Sequence, residues 1–106
     1  MSMTSDGQST AGLTGKLRRE LRSLGHHLNP VVMVGREGVR PQLIAQVDRE
    51  LDAHELIKIR VLDAAPESRG ETADAIARAT GAALVQVLGR TALLFRPRPD
   101  DDADAP

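Results

Sequence analysis

The chain has 106 residues, a formal net charge of −1 at pH 7, no cysteine and one aromatic residue, Phe95. A chain of this length forms one small domain, and the absence of cysteine excludes disulfides, thiolate zinc sites and cysteine nucleophiles. The shortage of aromatic side chains also excludes a surface that stacks bases on Tyr, Phe or Trp, as the RRM fold does.

Both ends of the chain have the composition of disordered tails. Residues 1–12 are rich in Ser, Thr and Gly, whereas residues 98–106 are rich in Asp, Ala and Pro. Neither stretch offers apolar side chains to bury. Residues 1–12 also lack the apolar segment of a signal peptide, and no later run is long enough for a membrane span. We therefore expect a soluble, cytoplasmic domain over residues 13–97.

A first helix is predicted from Thr14 to His26, because leucines at positions 17, 21, 24 and 28 recur at helical spacing. Thr14 is the candidate N-cap. Asn29 and Pro30 end the helix and lead into a short β-branched strand, Val31 to Val34.

A Gly-x-x-Gly sequence, Gly35 to Gly38, separates this strand from a second helix that Pro41 opens and that extends to Ala53. Both glycines lack Cβ atoms, so both can take positive φ and let another backbone approach closely. The first amides of the following helix carry partial positive charge. The loop therefore either receives a nucleic-acid phosphate or only meets the backbone geometry of a short connection.

Alternation over Leu56 to Leu62 predicts a strand whose isoleucines and valine face the core, while Lys58 and Arg60 face the other way. A third helix follows from Glu67 to Thr80, with Gly81 as its C-terminal stop.

Two more strands are predicted at residues 83–88 and 91–96, joined by Gly89 and Arg90 in a type II′ hairpin turn. The element order is then αβαβαββ. It predicts an α/β (α+β) fold in which a four-stranded mixed sheet packs with three helices.

Charge is distributed unevenly along the chain. Six basic and two acidic residues between Gly12 and Arg40 give that segment a net charge of +4, whereas Pro41 to Thr80 carries −3. A basic block of this kind favours a polyanionic partner, because phosphate contacts depend on local Lys and Arg and not on total charge.

Seven short motifs together resemble one known family. They are Leu13-Thr14 at the start of the basic helix, Leu28-Asn-Pro-Val-Val32, Gly35-Arg-Glu-Gly38, His54-Glu-Leu-Ile-Lys58, Thr80-Gly-Ala82, Val87-Leu-Gly-Arg-Thr91 and the closing Leu94-Phe-Arg-Pro97. The chain resembles the CRM (chloroplast RNA splicing and ribosome maturation) domain over Leu13 to Pro97, and specifically its stand-alone bacterial, YhbY-like form. The resemblance implies a single RNA-binding domain, similar to the C-terminal domain of translation initiation factor three. It also implies association with precursors of the large ribosomal subunit.

Twelve residues are candidate RNA contacts. They are Gly35, Arg36, Glu37 and Gly38 in the loop, Lys16, Arg18, Arg19 and Arg22 in the first helix, and Lys58, Arg60, Arg90 and Arg96 further along. The alternative for the helix is a solvated charged face, and for Lys58 and Arg60 it is that their stems only cover apolar surface. Glu37 departs from the family, because its carboxylate lies beside the expected phosphate. Either Arg36 offsets that charge or Glu37 points away.

The histidines do not form a metal or acid–base site in this pattern. His26 and His27 are adjacent and cannot both point into one site from a helix, and His54 sits at a helix end, where imidazole can satisfy carbonyls. No catalytic constellation is present either. We expect a monomeric RNA-binding protein with no cofactor, metal, small-molecule substrate or enzymatic activity. The rival interpretation is a protein-interaction adaptor without direct RNA contact.

Overall fold

A computed structural model describes residues 13–98 of the chain. Its elements are α1 (Gly15–Gly25), β1 (Pro30–Val34), α2 (Pro41–His54), β2 (Leu56–Val61), α3 (Arg69–Thr80), β3 (Ala83–Leu88) and β4 (Thr91–Phe95). The predicted order αβαβαββ is confirmed, and each predicted bound lies within two residues of the observed one. The tails predicted at residues 1–12 and 98–106 lie outside the described residues, apart from Arg98.

Local hydrogen bonds explain where two of the helices begin. The Thr14 side chain accepts from the Leu17 amide at 3.0 Å, so Thr14 is the N-cap of α1 as predicted. α3 begins two residues later than predicted, because Ser68 and Glu71 form a reciprocal capping box. Gly81 then ends α3 with a φ of +75°, the left-handed conformation expected of a glycine stop.

The four strands form one mixed sheet in the order β1-β2-β4-β3. β1 and β2 are parallel, and the other two pairs are antiparallel. The carboxyl ends of β1 and β2 therefore lie at the same end of the sheet as the hairpin between β3 and β4. Gly89 in that hairpin has a φ of +59°, the sign that a type II′ turn requires.

The helices cover the two faces of the sheet unequally. α2 and α3 cover one face, where they enclose the main aliphatic core, including Val47, Leu51, Ile59, Ile76 and Leu94. α1 lies alone on the other face and places Leu21 against Val85 of β3 and Leu93 of β4. α1 also contacts Leu56 of β2, whereas the outer face of β1 carries exposed side chains.

Gly25, the last residue of α1, lets the helix approach the sheet closely. A Cβ placed there would clash with both terminal methyl carbons of Leu93. Leu93 is buried, so its side chain has little space into which to move. The sequence pattern alone did not reveal this requirement.

Candidate nucleic-acid interface

The Gly35–Gly38 loop is a tight turn between β1 and α2, as the sequence predicts. The Gly38 amide donates to the Gly35 carbonyl at 2.9 Å, which closes the turn. Arg40 then forms the N-cap of α2 in an extended conformation, and Pro41 occupies the first helical turn. The loop lies at the carboxyl end of the edge strand β1, with its two central residues exposed to solvent.

The two glycines of the loop have different roles. Gly38 has a φ of +70°, and a Cβ there would approach Pro66 Cγ at 3.0 Å. Gly35 is not among the positive-φ residues, and its Cβ would make an ordinary 3.8 Å contact with Leu62 Cδ1. The turn therefore requires glycine at position 38, whereas at position 35 the backbone would accept a side chain.

Glu37 forms an ion pair with Arg40, three residues further along the chain. Both side chains are largely exposed, so the pair adds little stability. The pairing nevertheless answers the question that the sequence raised, because Arg40 and not Arg36 is the partner of the Glu37 carboxylate. Arg36 is exposed and has no carboxylate within ion-pair distance among residues 13–98.

The four basic residues of α1 divide into two kinds. Arg18 is half-buried, and its Nη1 donates to the backbone carbonyls of Val85 at 2.8 Å and Leu84 at 3.4 Å. These carbonyls lie where the register between β3 and β4 shifts, so Arg18 ties α1 to an irregular edge of the sheet. Lys16 and Arg19 are exposed and Arg22 is half-buried. Within the described part of the chain, no carboxylate pairs with these three.

Lys58 and Arg60 point from β2 to the sheet face that carries α1, because the alternate residues of β2 are buried against the main core. Lys58 is half-buried beside Leu93 in the register, and Arg60 is exposed opposite Met33 of β1. β2 is next to β1, which ends in the glycine loop, and β4 on its other side lies under α1. These two cations therefore lie between the loop strand and the basic helix.

The arginines near the end of the chain instead turn toward carboxylates. The Arg96 guanidinium contacts Asp48 Oδ1 at 2.8 Å, Asp52 Oδ1 at 2.9 Å and the Thr80 carbonyl at 2.6 Å. Only 24% of this side chain is exposed. Arg96 therefore joins β4 to α2 and the end of α3, and its contact with RNA stays a prediction.

Two other arginines near the end of the chain also form ion pairs. Arg90 in the hairpin contacts Asp63 at 3.0 Å, and Arg98 contacts Glu55 at 3.5 Å. Glu55 has a φ of +64°, and its backbone and side chain accept the amides of Arg96 and Arg98, each at 2.8 Å. Glu55 thus anchors the chain segment that leaves the sheet. No sequence pattern indicates this role.

One feature unites the remaining cations. Apart from Arg18, which donates to backbone carbonyls, six cations of α1, the loop and the outer face of β2 have no carboxylate within ion-pair distance among residues 13–98. We call this set the basic surface: Lys16, Arg19, Arg22, Arg36, Lys58 and Arg60. Arg49 on α2 and Arg69 on α3 are likewise without an ion-pair partner in this range, but they lie on other elements.

Neither a membrane-spanning helix nor a metal-binding cluster occurs among the described residues. None of the helices between residues 13 and 98 combines the length and apolar character needed to cross a bilayer. In the same range, no three His, Asp or Glu side chains gather in a way that could hold a metal ion. His54 lies 3.7 Å from Glu50, one helical turn earlier, and is largely exposed.

Fold and site together define a small α/β domain. It has a glycine loop and the basic surface, whose cations have no carboxylate partner within residues 13–98. The chain matches the model of the CRS1 / YhbY (CRM) domain over residues 13–96 and belongs to that family. The resemblance inferred from the sequence motifs is thereby confirmed.

Several named proteins are similar to this chain. The probable RNA-binding protein YqeI of Bacillus subtilis is 42% identical over 84 residues, which cover 79% of this chain and 88% of that protein. An RNA-binding protein of Haemophilus influenzae is 42% identical over 80% of this chain and 86% of its own length. A probable RNA-binding protein of Methanocaldococcus jannaschii is 48% identical over 81% of this chain and 65% of its own length.

A solved structure shares the fold. The solution structure of a hypothetical Staphylococcus aureus protein, for which RNA binding has been suggested, superposes with a TM-score of 0.72. It is 37% identical, and the match covers 84% of this chain and 93% of that one. The predicted fold class is therefore confirmed by an independent structure of the same architecture.

Proposed function

We propose that this protein binds structured RNA, with ribosomal RNA in precursors of the large subunit as its target, and that it assists ribosome assembly. The basic surface is the observation that carries the proposal. Its six cations have no carboxylate partner within residues 13–98, so they can meet phosphates without first breaking an ion pair. The names of the relatives give the same chemistry.

In this proposal the glycine loop receives a phosphate of the RNA backbone. Gly35 has no Cβ, so a phosphate can approach its backbone closely. Its φ is not positive, so this backbone conformation does not itself require glycine. Arg36 contributes a positive charge at the exposed tip of the turn, and Arg40 balances Glu37. These contacts carry no base information, so they set affinity and position more than sequence choice.

A salt titration separates RNA binding from the rival adaptor function. We expect the affinity for large-subunit RNA fragments to fall steeply as salt rises. The logarithmic slope should reach about −5 if all six cations meet phosphates, at about 0.9 per phosphate. A protein-interaction adaptor would show little salt dependence and no RNA affinity. Flat binding between low and moderate salt would exclude the proposal.

A matched pair of triple variants locates the surface. We expect replacement of Arg19, Arg22 and Arg36 by Ala to weaken binding and to reduce the salt slope by about one for each phosphate that no longer meets a cation. The control replaces Arg49, Arg69 and Arg78 by Ala, which removes the same charge from α2 and α3. Equal reductions in both variants would mean that only overall charge matters.

The remaining parts of the proposal are a monomeric protein, a cytoplasmic location and binding without chemistry. Sedimentation of cell lysate should place the protein with large-subunit precursors, and crosslinking should map it to their ribosomal RNA. Incubation with labelled RNA should yield no cleavage, with or without divalent metal. A nuclease activity that co-purifies with the folded protein would exclude a purely binding role.

A further inference from the structure

Two apolar side chains on the outer face of β1 are exposed to solvent, although a packed helix or sheet usually covers such residues. Val31 and Met33 are 39% and 56% exposed, whereas Val32 and Val34 between and after them are almost completely buried. Met33 is opposite Arg60 and therefore points to the face that carries α1, and Val31 lines a groove together with Lys58 of that face. α1 packs on β2, β4 and β3 instead, so the outer face of β1 is open.

Cations lie beside these apolar residues on the neighbouring strand. Arg60 is opposite Met33, and Lys58 is opposite Pro30, with an irregularity in the register at Val31. We call Val31, Met33, Lys58 and Arg60 the open strip. Both cations of the strip belong to the basic surface, whose members have no carboxylate partner within residues 13–98.

A groove lies at each end of the open strip. One groove, of about 250 Å³, lies beside the glycine loop and is lined by Met33, Arg36, Gln42 and Gln46 among others. The other, of about 380 Å³, lies at the start of β1 and includes Val31, Lys58, Leu28 and Asn29. Both grooves contain an apolar wall, a cation and at least one side-chain amide, and the groove beside the loop also contains the Glu37 carboxylate with its partner Arg40. Val31 and Met33 connect the two grooves along one strand.

We infer that the open strip holds an unpaired RNA strand that continues from the glycine loop along β1. This inference rests on the proposed function and names the class of RNA: a duplex or hairpin from which single-stranded nucleotides extend. Base faces pack against Met33 and Val31, and the phosphates meet Arg60 and Lys58. Side-chain amides in the grooves supply hydrogen-bond partners for base edges.

The spacing and the charge both favour this occupant. Residues two apart on a strand lie about 6.5 Å from each other, almost twice the rise of about 3.4 Å between stacked nucleotides of one strand. The strip therefore fits an extended, unstacked strand better than a duplex. A wholly apolar partner surface would leave Lys58 and Arg60 to be desolvated without a counter-charge, which is costly.

A hairpin RNA with a single-stranded extension, compared with the same hairpin cut blunt, tests the inference. We expect the wild-type protein to prefer the extended RNA. Met33→Ser combined with Val31→Ser should remove that preference and weaken binding of the extended RNA by about three- to tenfold, a smaller effect than the loss of two aromatic stacking contacts would have. The salt slope should not change, because every cation that meets a phosphate is still present.

Val87→Ser is the matched control, because Val87 is 39% exposed, as Val31 is, and lies on the other edge strand, β3, where it lines a groove beside the start of α3. It should leave the preference intact. An extension that carries 4-thiouridine should crosslink to residues 31–33, as located by mass spectrometry. An equal reduction in the control, or crosslinks elsewhere, would overturn the inference.

The outcomes also separate this inference from the proposed function. If the wild-type protein binds neither RNA, the proposed function is wrong and the inference falls with it. If it binds both hairpins equally and the serine variants change nothing, only the inference is wrong. Sedimentation of the protein without RNA gives one more outcome that would overturn the inference. If the protein forms a dimer and the serine substitutions dissociate it, the open strip binds a second copy of the chain.

Discussion

Arg96 and Arg36 carry the same side chain in opposite surroundings. The Arg96 guanidinium is mostly buried between two carboxylates and a carbonyl. Arg36 is exposed at the tip of the glycine loop and has no carboxylate partner within residues 13–98. The comparison shows that the net charge of −1 for the whole chain describes neither the surroundings of Arg96 nor those of Arg36. Acidic residues of α2 pair with Arg96, whereas the cations of the basic surface have no such partner within residues 13–98.

The difference also divides stability from binding. An arginine that is enclosed by carboxylates contributes to folding and is not available to a phosphate. An exposed arginine contributes little to stability but is free to meet RNA. Substitutions of enclosed arginines should therefore change the free energy of unfolding, whereas substitutions of exposed arginines should change RNA affinity.

The largest effect is expected at Arg96. Arg96→Ala leaves Asp48 and the Thr80 carbonyl without their partner, so the free energy of unfolding should fall by about 2 to 3 kcal/mol. Urea denaturation measures this change, and Arg98→Ala, at a half-exposed arginine, is the milder control. RNA affinity of the folded variant should stay within about twofold of wild type. A stable Arg96→Ala variant with impaired RNA binding would show that Arg96 contacts RNA.

The two loop glycines sharpen the comparison within one turn. Gly38→Ala places a Cβ at positive φ and against Pro66, so the free energy of unfolding should fall by about 1 to 2 kcal/mol. Gly35→Ala should change stability by less than about 0.5 kcal/mol. Gly35→Asp is then the clean test of phosphate binding, because it adds a negative charge without unfolding the turn. Unchanged RNA affinity in Gly35→Asp would mean that the loop is only a connection.

Arg18 and Arg19 make the same comparison on one helix. Arg18→Ala removes the hydrogen bonds to β3 carbonyls and should lower the free energy of unfolding by about 1 kcal/mol. Arg19→Ala should leave stability unchanged and reduce the salt slope of RNA binding by about one. Parallel denaturation and salt titrations of both variants decide between these roles. Identical behaviour of the two variants would show that Arg18 also binds RNA.

Sequence periodicity predicted the fold well, because each element has a pattern that its own residues carry. The alternation in β2 placed Lys58 and Arg60 on one face and the isoleucines on the other, as observed. The glycine loop was equally local, since a strand, two glycines and Pro41 define it. The start of α3 was less accurate because Gly70 obscured the capping box.

The fate of each arginine depended on contacts that no local pattern shows. Arg96 meets Asp48, 48 residues earlier, only because β4 lies beside β2 and brings the chain end to α2. Arg18 likewise reaches β3 across 67 residues. The pair between Glu37 and Arg40 is different, because a spacing of three residues is visible in the sequence.

The smallest expected effect concerns the negative charge in the loop. Glu37→Gln removes a carboxylate next to the proposed phosphate and frees Arg40 from its ion pair, so RNA affinity should rise by about twofold at low salt. Stability should change by less than about 0.5 kcal/mol, because both partners are exposed. Asp74→Asn removes the same charge from α3 and likewise frees an arginine, Arg78, from an exposed ion pair, so it serves as the control. If both variants raise affinity equally, the gain comes from net charge, and the phosphate does not lie at the glycine loop.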